Sequence, residues 1–218
     1  LSSELGDTAA CYASIAGSRL STEEKVAKCP VTDYTLSNRK ISESKEGKTK
    51  ESAIVNSFSA IDDKVNELFA KLMGKCMQMG GGVNSNVFSR TWFASSTICL
   101  ECFNIKFDDS VTKSSFNGLR EYLEKNKVTG TKKIYVEYFT KNQEHRDDWI
   151  NYGAEKGLIP GKYESNIDKN NVYTIFFMGI KEGTLSALAD ARLIGREDTY
   201  FVYAAPQDKL RICERKVN

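Results

Sequence analysis

The residues with the most chemistry to offer are six cysteines: Cys11, Cys29, Cys76, Cys99, Cys102 and Cys213. An even set spread from end to end fits three disulfides, whose pairing a sequence does not fix. Disulfides persist outside the cytosol, so the set points to an extracytoplasmic address. Cys99-Leu100-Glu101-Cys102 is the one C-x-x-C, and three readings compete for it. A redox pair should open a helix, whose N-terminus lowers the thiol pKa. This pair instead lies inside 97–107, a β-prone stretch with no helix cap before it. A zinc site needs further ligands. The chain has no second C-x-x-C and a single histidine, and a four-thiolate set of Cys76, Cys99, Cys102 and Cys213 has no supporting spacing. In a strand, residues three apart face opposite ways, so Cys99 and Cys102 are expected to bridge to different layers.

Little else in the sequence suggests catalysis. His145 sits in the charged run Asn142-Gln143-Glu144-His145-Arg146-Asp147-Asp148 and reads as a solvated side chain. Asp62-Asp63, Asp108-Asp109 and Asp147-Asp148 are sequence neighbours, which point apart on any regular element and do not make an acid/base pair. No nucleophile elbow, Walker loop, H-E-x-x-H or calcium loop is present. Gly80-Gly81-Gly82 follows a helical pattern, whereas a phosphate loop would precede one. The expectation is no catalytic residue, no metal and no cofactor.

The elements that would position the cysteines follow from periodicity. Ile54, Phe58, Ile61, Val65, Leu68, Phe69, Leu72, Met73, Cys76 and Met79 recur at three- and four-residue steps with charges between them. This predicts one long amphipathic helix of about seven turns ending at the triple glycine. Met73, Met77 and Met79 near its end read as core filling. Residues 26–36, 97–107 and 173–180 read as strands, the last apolar throughout and therefore central. Residues 200–203 and 210–213 read as a hairpin around Ala205-Pro206-Gln207-Asp208. A short helix is expected within 1–20, another after Thr184, and one capped by Ser114-Ser115 that carries Phe116, Leu119, Tyr122 and Leu123. Residues 37–52 and 140–171 are polar and read as excursions, the second with one helical turn near Trp149. The fold class expected over 1–218 is a single α+β domain: a largely antiparallel sheet packed on one long helix and stabilised by disulfides.

Composition narrows the function classes. The chain has 218 residues, 40% hydrophobic and 28% charged, which is ordinary for a globular domain. Its 31 basic and 29 acidic residues leave a net charge of +2, which gives no footprint for nucleic acid. No apolar run is long enough to span a membrane. The chain starts at Leu1 with no signal peptide, so an anchor or signal is expected only outside it. No N-x-Ser/Thr sequon occurs, which favours a prokaryotic source.

Five blocks carry a resemblance: Ala10-Cys11-Tyr12-Ala13-Ser14-Ile15, Lys28-Cys29-Pro30, the run from Leu72 to Gly82, the run from Ile98 to Asp108, and the stretch from Gly118 to Tyr138. In this order they resemble a family of uncharacterised archaeal proteins of small-genome lineages. The resemblance implies an N-terminal membrane helix followed by an extracytoplasmic domain, in which a helix with a cysteine and a Gly-rich end precedes a C-x-x-C strand. It brings no catalytic residues. The function expected is a cell-surface or envelope protein with a structural or adhesive role, as part of an extracellular assembly or filament, acting through protein partners or self-assembly. The alternatives are a thiol–disulfide redox protein using Cys99 and Cys102, and a zinc-stabilised module.

Overall fold

The computed structural model describes residues 11, 13, 29–53, 62–83, 97–160, 166–180 and 199–217. Among the described residues, nine strands and four α-helices follow one another in the order β1 (Thr32–Leu36), β2 (Lys40–Lys45), β3 (Lys48–Ala53), α1 (Asp62–Met79), β4 (Thr97–Phe107), β5 (Ser115–Phe116), α2 (Leu119–Lys125), α3 (Tyr135–Phe139), α4 (Gln143–Lys156), β6 (Ile167–Asp168), β7 (Tyr173–Ile180), β8 (Thr199–Pro206) and β9 (Arg215–Val217). A 3-10 helix, Gln207–Ile212, joins the last two strands. The fold is α+β, held by three disulfides.

The main sheet runs β3-β2-β1-β4-β7-β8, with β9 also on β4. It is mixed: β1 and β9 both pair parallel to β4, and the other pairings are antiparallel, as expected for most of the sheet. These two share one edge of the eleven-residue β4: β1 takes Phe103–Phe107 and β9 takes Ile98–Leu100. β7 occupies the other edge, antiparallel, and is buried at all eight positions, as its unbroken apolar run predicts.

Paired residues of neighbouring strands share a face. By that rule Ile98, Leu100, Phe103 and Ile105 lie with Ile175, Phe177, Val202 and Ala204 on one face. Cys99 and Glu101 lie with Phe176, Met178, Phe201 and Tyr203 on the other. Helix α1 covers the first face, with Phe69 edge-on to Tyr173 at 5.6 Å. It ends as predicted at the triple glycine, where Gly82 N–H reaches the Met77 carbonyl (2.8 Å), Gly81 N–H reaches Gln78 (2.9 Å) and Gly81 has φ 86°.

One long amphipathic helix is not what packs this sheet. Helix α1 has 18 residues, and the part expected over 54–61 lies outside the described residues. Its last turns are buried nearly all round: only Lys71 and Gln78 are exposed between Phe69 and Gly80. The reason is a second layer. α2 and α3 pack on α1, and Tyr135 comes within 3.5 Å of the position a Cβ would take at Gly74. The three methionines fill the core, as expected.

Several further expectations need correction. Residues 37–52 are no loop; they form most of the β2–β3 hairpin, closed by a two-residue turn in which Glu46 (φ 48°) and Gly47 (φ 78°) both take positive φ. Both hairpin faces are polar, so no alternation marked them. Residues 140–171 contain the fourteen-residue α4. Asn142 caps its start by accepting the His145 N–H at 2.9 Å, and Gly157 (φ 66°) closes it. Its buried face is His145, Trp149, Ile150 and Tyr152, too polar and aromatic to read as an apolar stripe. Ser115 and Phe116 form a short strand with β6, and the cap of α2 is Gly118, not Ser114-Ser115. Residues 210–213 do not return on β8. The chain turns through the 3-10 helix instead, and β9 crosses to β4. Cys11 and Ala13 are helical; the rest of 1–20 and the helix expected after Thr184 lie outside the described residues.

Candidate functional site

The sulfur chemistry is organised around β4. Its ladder with β7 shifts register between Glu101 and Phe103, so Cys102 is the extra residue of a β-bulge. The bulge lets Cys102 and Phe103 both turn toward α1, while Cys99 faces the opposite side. Cys102 is bonded to Cys76 of α1, and Cys99 to Cys213 behind the sheet. The third bridge joins Cys11 to Cys29, just before β1. All six cysteines are buried, and none is free. The C-x-x-C therefore clips two layers onto one strand. Its cysteines bond elsewhere rather than to each other, so the arrangement a redox pair requires is absent from β4. Among the described residues no group of three or more His, Cys, Asp or Glu side chains is placed to hold a metal ion.

The C-terminal segment is held by more than sulfur. Thr97 Oγ1 donates to the Ile212 carbonyl at 2.8 Å, and Lys216 Nζ lies 2.6 Å from Glu101 Oε1. Together with the bridge to Cys99, these contacts seat a strand of only three residues.

His145 is not solvated. It is 7% exposed, and its ring stacks on Phe201 at 4.9 Å, while Nδ1 accepts the Lys141 N–H at 3.0 Å. Burial, and then the Lys141 charge, push its pKa down to about 4, against a smaller opposing effect of the Tyr200 backbone. A ring neutral at pH 7, stacked on a core phenylalanine, is a packing group. Of the paired carboxylates, Asp62 is tied to Lys113 (2.6 Å), and Asp108 holds the Ser110 turn, its Oδ1 accepting the Ser110 N–H at 2.9 Å. Asp147 accepts from Gln143 at 2.9 Å. Burial, and then Glu144 and Asp147, push Asp148 up to about 6.

The two ends of the sheet differ. At β8 the edge is sealed. Trp149 Nε1 donates to the Val202 carbonyl (2.9 Å), and Ile159 exchanges two backbone hydrogen bonds with Ala204 (2.8 and 2.9 Å). The α3–α4 segment wraps this edge, with Tyr135 beside α1 on one face and His145 and Tyr152 against Phe201 on the other. At the far end β3 is the terminal strand, and among the described residues no strand pairs with its outer side. Ile41 roots the hairpin in the core opposite Leu36, but β3 itself is exposed from Lys48 to Ser52. The periodicity signals that identify buried elements did not reveal it; the Glu46-Gly47 turn signal could have.

No protein family matches this chain, no curated protein matches its sequence and no solved structure matches its fold. Three buried disulfides suggest an oxidising, extracytoplasmic environment. Among the described residues no helix is long and apolar enough to cross a membrane.

Proposed function

We propose that this protein is a cell-surface or envelope component with a structural or adhesive role, working by binding other proteins. The observation that carries this reading is the contrast between the sealed β8 edge and the open β3 edge of a sheet cross-linked by disulfides. A rigid core presents one extended hairpin to its surroundings, a geometry suited to strand addition. The disulfides support the location, because they hold such a scaffold together where no reducing pool exists.

The test is lysine labelling of intact cells with a membrane-impermeant reagent, read out by peptide mass. Exposed Lys48 and Lys50 are labelled without lysis if the protein is at the surface. Labelling that appears only after lysis overturns the reading.

A further inference from the structure

We propose that the outer edge of β3 accepts an extended segment of another protein with carboxylates at alternate positions, and that it rejects a second copy of this chain. This rests on the surface-binding reading above and names its partner chemistry.

The backbone comes first. In a hairpin with a two-residue turn, the flanking pair exchanges both hydrogen bonds, and such pairs then alternate along the ladder. Here Lys45 and Lys48 flank the turn, and Glu43 opposite Lys50 and Ile41 opposite Ser52 repeat the pattern. Thr49 and Glu51 therefore point their N–H and C=O groups outward. An added strand would hydrogen-bond to these two residues.

The side chains set the partner. Lys48 and Lys50 share one face of β3, with Lys45 beside Lys48 and Glu43 beside Lys50 on the same face, so three cations meet one carboxylate there. A strand added at this edge places two residues, themselves two apart, directly opposite Lys48 and Lys50. Carboxylates there are favourable, and cations are not. The other face shows Thr49 and Glu51 to the newcomer, and Glu51 already holds Lys40 at 3.1 Å. The position between the two carboxylates is therefore best neutral.

The same arithmetic opposes self-pairing centred anywhere from Lys48 to Glu51. Opposed residues must share a face, so two copies of β3 related by a two-fold axis meet with the axis on a residue. An axis at Lys50 or Glu51 sets like charges against each other, and an axis at Thr49 sets Lys48 against Lys50 of the second copy. Edge lysines that oppose self-association are a common protection of exposed strands.

The experiment is amide hydrogen exchange of the full chain with two capped hexapeptides, one alternating Glu with Val and the other alternating Lys with Val. The Glu peptide at ~10 times its Kd slows exchange at Thr49 and Glu51 about tenfold, and the Lys peptide leaves it unchanged. In a Lys48→Glu, Lys50→Glu double variant the preference reverses. Thr49→Pro, which removes an outward N–H on an edge strand that tolerates proline, keeps the thermal melt and abolishes protection at Glu51. Equal protection by both peptides, protection by neither, or an unchanged preference in the double variant overturns the proposal. So does protection that grows with protein concentration alone, which would make the occupant a second copy. None of these results bears on whether intact cells are labelled, so the surface reading can stand or fall separately.

Discussion

The Trp149 indole donates from Nε1 to the Val202 carbonyl across 2.9 Å, from a helix onto the outermost strand of the sheet. The reverse linkage lies beside it: Tyr203 Oη donates to the Trp149 carbonyl at 2.7 Å. Helix and strand edge thus satisfy each other's polar groups inside a cluster of rings that includes Phe139, 5.7 Å from Trp149. Trp149→Phe keeps an aromatic ring, removes the donor and leaves a buried carbonyl unpaired beside a small cavity. Denaturant unfolding should show a loss of about 1–3 kcal/mol. An unchanged midpoint would mean that the β8 edge is not sealed by this contact.

The two bridges on β4 close very different loops, 26 residues for Cys76–Cys102 and 114 for Cys99–Cys213. Chain-entropy arguments make removal of the longer one costlier by about 1 kcal/mol. Paired Cys→Ala variants should therefore rank in that order in urea unfolding. The opposite ranking would place the main contribution of the shorter bridge in packing on α1 rather than in chain entropy.

Gly74 in the middle of α1 and Gly80 in the turn just after it have opposite consequences. A Cβ at Gly80 would collide with the Phe177 ring, which stacks on Tyr200 and has little room to withdraw. A Cβ at Gly74 meets only Tyr135 at 3.5 Å, an ordinary contact. Gly80→Ala should lower stability by about 1–3 kcal/mol. Gly74→Ala should raise it by up to about 1 kcal/mol through helix propensity. Thermal melts of the two variants on the same side of the parent would contradict this packing.

Two groups on α4 give opposite pH dependence. His145 is depressed from 6.5 to about 4, so its contribution is intact above pH 6.5 and is lost as pH falls toward 4. The loss is about 3 kcal/mol when complete. Asp148 is raised from 3.8 to about 6, so its stabilising protonated form is lost as pH rises through 6. His145→Gln should flatten the decline in stability between pH 6.5 and 4. Asp148→Asn should raise the melting temperature at pH 7 and leave it unchanged below pH 4. A variant that shifts stability equally at all pH values would show that the group does not titrate differently in the folded state.

The sequence made visible what is periodic and buried. Thr97–Phe107 and Tyr173–Ile180 are strands with the expected bounds because their side chains are β-branched, aromatic and continuous. The end of α1 was visible because glycine takes the left-handed cap. That Cys99 and Cys102 reach different layers followed from strand alternation. The bulge that lets Cys102 and Phe103 share a face did not, because it depends on the partner strand. α4 stayed hidden because His145 and Trp149 bury polar atoms whose partners, Lys141 and Val202, are local or tertiary backbone contacts. The β9 crossover could not be read from three residues whose place is fixed by Cys99 and Glu101.

The two cysteines of β4 hold different layers, and such buried bridges suggest an oxidising environment. The decisive measurement is a peptide map of protein from its native cells, alkylated under denaturing conditions without reductant. The account predicts no alkylated cysteine and linked fragments joining Cys76 to Cys102 and Cys99 to Cys213. Free thiols at these positions, or a Cys99–Cys102 bond, would contradict it.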